Sequence, residues 1–387
     1  MIKREIESKI RQLAVKFPVI SIMGPRQSGK TTLIKSMFPG YRYESLEDPD
    51  TRLFAHNDPR KFLGNGEKMI IDEVQRLPDL FSYIQTISDR QGIAGQFILS
   101  GSQSFLLNQH ISQSLAGRVA VFNLLPFSIS ELSEHGITEN SYEKLLWQGF
   151  YPRLYDKGIS PADFYPNYVQ TYVERDVRLL QNIHDLNHFI KFLKLCAGRT
   201  GQLLNMNSLA NDCGLSPNSV KSWISVLEAS YIIHLIQPHH ISFNKRLVRM
   251  PKLYFADTGL ACSLLEIVSE SQLATHYLRG ALFENFVISE FLKARYNKGL
   301  RNNCHFWRDN KGSEIDCILE NEKRLTPVEI KSGNTFSADY FSQIKYWNKL
   351  SGNTSENSFV IYGGETSRNT SEGLLLKWND IGKVPVV

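Results

Sequence analysis

The segment Gly24-Pro25-Arg26-Gln27-Ser28-Gly29-Lys30-Thr31 constrains this chain more than any other, because the pattern G-x-x-x-x-G-K-[ST] requires a strand, a tight turn and a helix in that order. The apolar run Pro18-Val19-Ile20-Ser21-Ile22-Met23 predicts the strand, and Thr32-Leu33-Ile34-Lys35-Ser36-Met37 predicts the helix. Glycines at such a turn let consecutive backbone N–H groups point inward at a polyphosphate, and the positive end of the helix favours the anion. Lys30 is then placed to reach the β- and γ-phosphates of a nucleotide. Thr31 offers a hydroxyl to a magnesium ion, which so few protein oxygens hold only together with phosphate oxygens. The candidate nucleotide contacts run from Gly24 to Thr32. The competing reading is a glycine-rich strand-to-helix turn that binds nothing.

Met69-Ile70-Ile71-Asp72-Glu73 is an apolar strand ending in two carboxylates. A strand of a parallel sheet is buried on both faces, so acids at its C-terminal end belong in the crevice where ligands bind. Asp72 takes the metal side, and Glu73 orients or deprotonates an attacking water. Alternatively, Glu73 caps a helix starting at Val74. Gln96-Phe97-Ile98-Leu99-Ser100-Gly101-Ser102 is another short strand ending in small polar residues. Further on, Gly117-Arg118 precede the strand Val119-Ala120-Val121-Phe122. A left-handed Gly117 ending a helix, with Arg118 complementing its negative end, accounts for that pair structurally.

The length of 387 residues exceeds one compact core and predicts two or three domains. A net charge of +5 permits nucleic-acid contact without requiring it. Cys196, Cys213, Cys262, Cys304 and Cys317 form no C-x-x-C pair, so neither a zinc site nor a disulfide framework is indicated, and a reducing cytoplasm fits. The start, Met1-Ile2-Lys3-Arg4-Glu5-Ile6-Glu7, is charged and amphipathic, unlike a signal peptide. No apolar stretch approaches the ~20 residues that span a bilayer, which predicts no membrane partner.

After Pro126-Phe127 the periodicity turns helical. Tyr168, Tyr172, Val173, Val177 and Leu180 recur at helical spacing, while Glu174-Arg175-Asp176 and Arg178 supply a charged face. Asn207 to Pro217 read as a helix, a glycine turn and a second helix capped by Ser216 with Pro217 in its first turn. Val220, Trp223, Ile224 and Leu227 form the inward stripe of that second helix. Two strands follow, Ile232-Ile233-His234-Leu235-Ile236 and Lys252-Leu253-Tyr254-Phe255, joined by a loop with Lys245, Arg246 and Arg249. Helix-turn-helix plus hairpin predicts a winged helix. Asn218, Ser219, Lys221 and Ser222 on the exposed side and the cationic wing favour DNA phosphates as partners. Winged helices also serve as spacers or protein docks, and the recognition helix lacks arginine for base readout.

In the last third, Glu284 lies on the amphipathic helix Gly280 to Leu292, and strands follow at Cys304 to Arg308, Ser313 to Leu319 and Thr326 to Lys331. Side chains alternate along a strand, so Glu329 and Lys331 project to the same face. A helical acid, an aspartate on a second strand and Glu-x-Lys on a third resemble the PD-(D/E)xK nuclease superfamily. The resemblance implies Asp316 and Glu329 as magnesium ligands, Lys331 as the electrostatic partner, Glu284 as an auxiliary acid and Gln343 at an accompanying polar position. Taken singly, Glu-x-Lys is usually a solvated or cross-strand pair.

The order of elements in the first third resembles the AAA+ class of P-loop ATPases. That resemblance makes Ser102 the candidate γ-phosphate sensor, with Ser100 second, although serine departs from the asparagine or threonine common there. It makes Arg118 an arginine finger acting across a subunit boundary, which implies a homo-oligomer, and Arg175 or Arg178 a second sensor. Nearly end to end, the chain resembles the prokaryotic ATPases that couple an AAA-type N-terminal domain to a C-terminal domain of unknown function with a nuclease-like fold. The phosphate loop, Ile71-Asp72-Glu73-Val74-Gln75, Leu99-Ser100-Gly101-Ser102, Leu115-Ala116-Gly117-Arg118, Glu174-Arg175-Asp176, Phe255-Ala256-Asp257-Thr258-Gly259-Leu260 and Val328-Glu329-Ile330-Lys331 carry it. The implied fold is α/β: a P-loop AAA+-like parallel sheet over 1–135, a helical lid over 136–200, a winged helix over 201–256 and a restriction-endonuclease-like α/β domain over 257–387. The implied activity is magnesium-dependent ATP hydrolysis coupled to a DNA-associated C-terminal half. The alternative is a nucleotide-gated switch whose nuclease-like part only binds protein.

Overall fold

The computed structural model describes residues 2–102, 114–172, 185–240, 248–322 and 324–386. The chain divides into two compact units, one comprising 1–127 with 229–231 and 296–300, the other 128–228, 232–295 and 301–387.

In the first unit, five short strands form one sheet: β1 (Val19–Met23), β2 (Arg42–Ser45), β3 (Met69–Asp72), β4 (Phe97–Gly101) and β5 (Val119–Asn123). All neighbours are parallel, in the order β2-β3-β4-β1-β5. β1 and β3 are buried throughout, as an apolar run in the middle of a parallel sheet must be. Ile20, Ile22, Ile70, Ile98 and Phe122 meet Leu33, Ile34 and Met37 of the helix Lys30–Met37 in one core. β4 separates the strand before the glycine-rich loop from the strand bearing Asp72, so the C-terminal ends of β1, β3 and β4 open on one crevice.

The second unit begins with short helices. Tyr151, Phe164, Tyr165 and Tyr168 pack their rings together beside Asp257. The helices Leu186–Ala197, Met206–Cys213 and Pro217–Ala229 follow. Gly214 ends the second of these with φ +74, and Ser216 Oγ accepts from Ser219 N at 3.1 Å at the start of the third. Val220, Trp223, Ile224 and Leu227 are buried, with Trp223 edge-on to Phe189 and Phe192. β6 (Ile233–Ile236) and β7 (Lys252–Phe255) pair antiparallel after the helices.

Beyond the helix Arg279–Asn297 lie β8 (Cys304–Arg308), β9 (Glu314–Asn321), β10 (Arg324–Lys331), β11 (Phe359–Tyr362), β12 (Arg368–Thr370) and β13 (Gly373–Lys377). They form a mixed sheet in the order β12-β13-β11-β10-β9-β8. Trp307, Ile318, Val360 and Leu375 pack there against Ile344 and Trp347 of the helix Ser342–Ser351. Among the described residues no helix is long and apolar enough to cross a membrane, and all five cysteines are buried and unpaired in disulfides. The sequence-based readings at Val173, Glu174, Arg175, Asp176, Val177, Arg178, Leu180, Lys245 and Arg246 lie outside the described residues.

Candidate functional site

The glycine-rich loop leaves β1 through Gly24, where a side chain would overlap the Leu124 carbonyl. Gly29 stands at the N-cap of the helix Lys30–Met37 with φ +91, a conformation glycine adopts without the steric cost other residues bear. The first N–H groups of that helix have no intrahelical partner and face the turn. Ser28 Oγ would lie 3.3 Å from a Cβ at Gly24, so it sits inside the loop; it is buried without a hydrogen-bond partner, as is Gln27 Oε1. Lys30 Nζ donates to the carbonyls of Gly24 at 2.9 Å and Pro25 at 2.8 Å. Burial holds the Lys30 ammonium below its ordinary pKa, against the pull of the Glu73 and Asp72 carboxylates. Arg26 pairs with Glu47 at 2.9 Å, and Thr32 lies in the first turn of the helix.

Asp72 gathers hydroxyls. Its Oδ2 accepts from Thr31 Oγ1 at 2.8 Å and from the Tyr43 hydroxyl at 2.8 Å, and its Oδ1 accepts from Ser100 Oγ. Glu73 has left the strand. Its φ of +54 is left-handed, unusual for a residue with a side chain, and it opens the short 3-10 turn Val74–Arg76 without capping it through its carboxylate. Its Oε2 accepts from Gln75 Nε2 and from Ser102 Oγ at 3.1 Å. The two serines near the end of β4 therefore hold the two acids: Ser100 holds Asp72 and Ser102 holds Glu73. Arg118 makes a two-pronged ion pair with Asp89 and also donates to the Ala116 carbonyl at 3.0 Å, beside a Gly117 with φ +77.

Two members of this site were missing from the sequence reading. Tyr43 sits on β2, which the sequence reading did not identify. Arg4 is buried and donates to Ser28 O at 3.0 Å and Leu125 O at 2.7 Å, with its guanidinium over the Phe127 ring. It ties the loop to the chain beyond β5.

In the second unit a pocket of about 530 Å³ brings Glu284, Asp316, Glu329, Lys331 and Gln343 together. Antiparallel pairing of β9 with β10 does this: Val328 stands opposite Cys317, and Ile330 N donates to Asp316 Oδ2 at 2.8 Å. Lys331 Nζ meets Glu329 Oε2 at 2.6 Å and Asp316 Oδ2 at 3.7 Å, so the alternation predicted for β10 places both side chains on one face. Glu329 is 2% exposed, and its Oε1 has no hydrogen-bond partner. Burial raises its pKa well above the carboxylate range, with Asp316 adding and Lys331 opposing. Burial raises Glu284 likewise, against the pull of Lys252.

Lys252 on β7 was not anticipated. Only 3% exposed, it reaches Glu284 Oε1 at 2.8 Å and also contacts Glu314. Burial alone would lower its pKa, but Glu284, Asp316 and Glu314 outweigh that and raise it above the usual lysine value. The Tyr254 hydroxyl donates to Glu284 Oε1 at 2.5 Å, and Arg308 pairs with Glu314 at 3.1 Å. Among the described residues no three His, Cys, Asp or Glu side chains are grouped as a metal ion requires. In the motif around Asp257, the aspartate accepts from Phe150 N, Leu260 N and the Tyr165 hydroxyl, and a side chain at Gly259 would overlap the Tyr165 ring. These contacts give that motif a packing role.

A parallel sheet, a glycine-rich loop and paired acids in this order make the arrangement of a P-loop domain, and residues 16–133 match a family model described as an AAA domain. Residues 139–271 and 279–381 match two models, each described as a domain of unknown function (DUF8612 and DUF4143). Uncharacterized proteins of Mycobacterium tuberculosis and Mycobacterium bovis are each 28% identical over 339 residues, covering 86% of this chain and 74% of theirs. Among solved structures, a Walker-type ATPase of Pyrococcus abyssi is 14% identical, covering 68% of this chain and 96% of its own, with a TM-score of 0.43. AMPPCP-bound DnaA from Aquifex aeolicus is 16% identical, covering 58% and 85%, with a TM-score of 0.31.

Proposed function

We propose that the first unit binds and hydrolyses ATP with magnesium, and that its nucleotide state repositions a DNA-associated second half. The observation that carries the ATPase reading is the bond from Thr31 to Asp72, which joins the loop's helix to the acid-bearing strand with Glu73 next in the chain. The unpartnered Ser28 hydroxyl, free to donate, fits a loop built to receive an anion's oxygens. Lys30, Thr31 and Asp72 would hold the nucleotide and its magnesium, which neutralises phosphate charge when bound. Glu73, aimed by Gln75 and Ser102, orients water or takes its proton. In this reading Ser102 positions the base and does not read the γ-phosphate. Arg118 acts across a subunit boundary only after leaving Asp89.

Lys30 exchanges two carbonyls for phosphate oxygens. That exchange raises a pKa that burial now depresses, so nucleotide binding takes up protons at alkaline pH, below the ordinary lysine value of 10.5. Calorimetry with magnesium and a non-hydrolysable ATP analogue, in two buffers of different ionisation heat, measures both affinity and proton uptake. Lys30→Ala is expected to lose roughly 100-fold in affinity and the proton uptake. Absence of binding by the parent protein overturns the reading.

For the second half, the order helix, turn, helix and hairpin supports a winged helix, and the exposed Asn218, Lys221 and Arg249 suit DNA phosphates. Asp316 and Glu329 would hold magnesium with Lys331 beside them, once Lys252 and Lys331 yield their carboxylates. One observation favours the switch reading instead: the pocket's acids already have lysines as counter-ions. Binding of manganese to the second unit's pocket separates the two, since only the first requires it.

A further inference from the structure

A second cavity of the same unit, about 840 Å³, runs along the helix Leu186–Ala197. Lys191, Lys194 and Arg199 line it, and no Asp or Glu does. Lys194 pairs with Glu266 at 2.5 Å and Arg199 with Asp212, and both acids stand outside the lining. Exposed pairs of this kind contribute little and exchange readily for phosphate oxygens. The Tyr277 ring also lines the cavity, 82% exposed. Gln202 and Leu203 line both this cavity and the pocket of Glu329 and Lys331, so the two share a wall.

We propose that the cavity is the track of a single nucleic-acid strand, which the three cations hold by its phosphates and which continues past Gln202 and Leu203 to Arg308 and Lys331. A single strand is chosen over a duplex because an exposed aromatic face stacks on an unpaired base. The track lies apart from the exposed Asn218 and Lys221 of the helix Pro217–Ala229, which line neither cavity. The inference rests on reading the carboxylate–lysine pocket as a phosphodiester site.

The test is fluorescence anisotropy of the full chain with a labelled oligodeoxythymidylate over a salt titration. Lys191→Ala with Lys194→Ala is expected to weaken binding roughly tenfold and to reduce the slope of log affinity against log salt by about 1.4, at about 0.7 per phosphate contact. Tyr277→Ala weakens binding and leaves the slope unchanged, the signature of lost stacking. Lys157→Ala, at an exposed lysine that lines neither cavity, changes neither. Unaltered affinity in the double lysine variant overturns the track, as does an equal loss of affinity for a duplex of the same length in that variant. If Arg308→Ala with Lys331→Ala abolishes binding while the double lysine variant does not, the pocket reading stands and the track falls. If the parent binds no oligonucleotide, both fall.

Discussion

The two sites are built from similar residues and held in opposite ways. At the glycine-rich loop the ammonium of Lys30 rests on neutral carbonyls, and Asp72 is bound by hydroxyls. In the carboxylate pocket Lys252 and Lys331 rest on carboxylates. A lysine on carbonyls gives up little when an anion arrives, whereas a buried ion pair must be broken before either partner can serve a ligand. The first site is therefore poised for a polyanion, and the second is neutralised from within.

The largest expected effect tests the poised site. Glu73→Gln keeps an acceptor for Gln75 and Ser102 but removes the base, so ATP turnover should fall about 10²- to 10⁴-fold with nucleotide still bound. Steady-state phosphate release alongside filter retention of labelled ATP measures both. Turnover equal to the parent's would remove Glu73 from its role and leave the loop as a binding site alone.

The next effect probes the neutralised site. Lys252→Met keeps the aliphatic stem and leaves Glu284 and Glu314 without their shared ammonium, which should cost about 3–5 kcal/mol of stability, as a broken buried pair does. Manganese should restore part of that loss in the variant and do little for the parent, read as a shift of the thermal midpoint. If manganese stabilises neither, the pocket is no metal site; if it stabilises both equally, Lys252 is no competitor for the acids.

Much of the first site was readable because its signals are local. Residues 24–31, the strand ending at Asp72 and the small polar end of β4 each fit within one short window. β2 escaped because Arg42-Tyr43-Glu44-Ser45 is half-exposed and polar, so its alternation carries no apolar contrast. Arg4 and Lys252 escaped for a different reason. Arg4 meets carbonyls 24 and 121 residues away and Lys252 a carboxylate 32 residues away, and only the folded chain creates those neighbours. Ser102 was singled out at the polar end of β4, but its bond to Glu73 was not foreseen. Alternation on β10 made the shared face of Glu329 and Lys331 legible, whereas Asp316 and Glu284 came only from the resemblance, and neither source shows which cations neutralise the acids.

A smaller effect sharpens the account of how the loop is held. Arg4→Met strands the buried Ser28 and Leu125 carbonyls, and leaving such acceptors unmet costs about 1–3 kcal/mol. Because Ser28 belongs to the loop, nucleotide affinity should fall together with the thermal midpoint. A drop in stability with unchanged affinity would make Arg4 a brace for the unit as a whole and not for the loop.

The smallest effect on stability belongs to Arg118, and it separates the two roles that its position allows. Its pair with Asp89 is at the surface, where such pairs contribute little, so Arg118→Ala should leave the thermal midpoint unchanged. If the pair is all that Arg118 does, turnover is also unchanged at every protein concentration. If the arginine serves a neighbouring copy, the parent's turnover per molecule rises with protein concentration and the variant's stays low and flat. Asp89→Ala then discriminates further: it frees the guanidinium without removing it, so a finger held back by Asp89 should give higher turnover at a given concentration, whereas an arginine that only complements a helix end should give none.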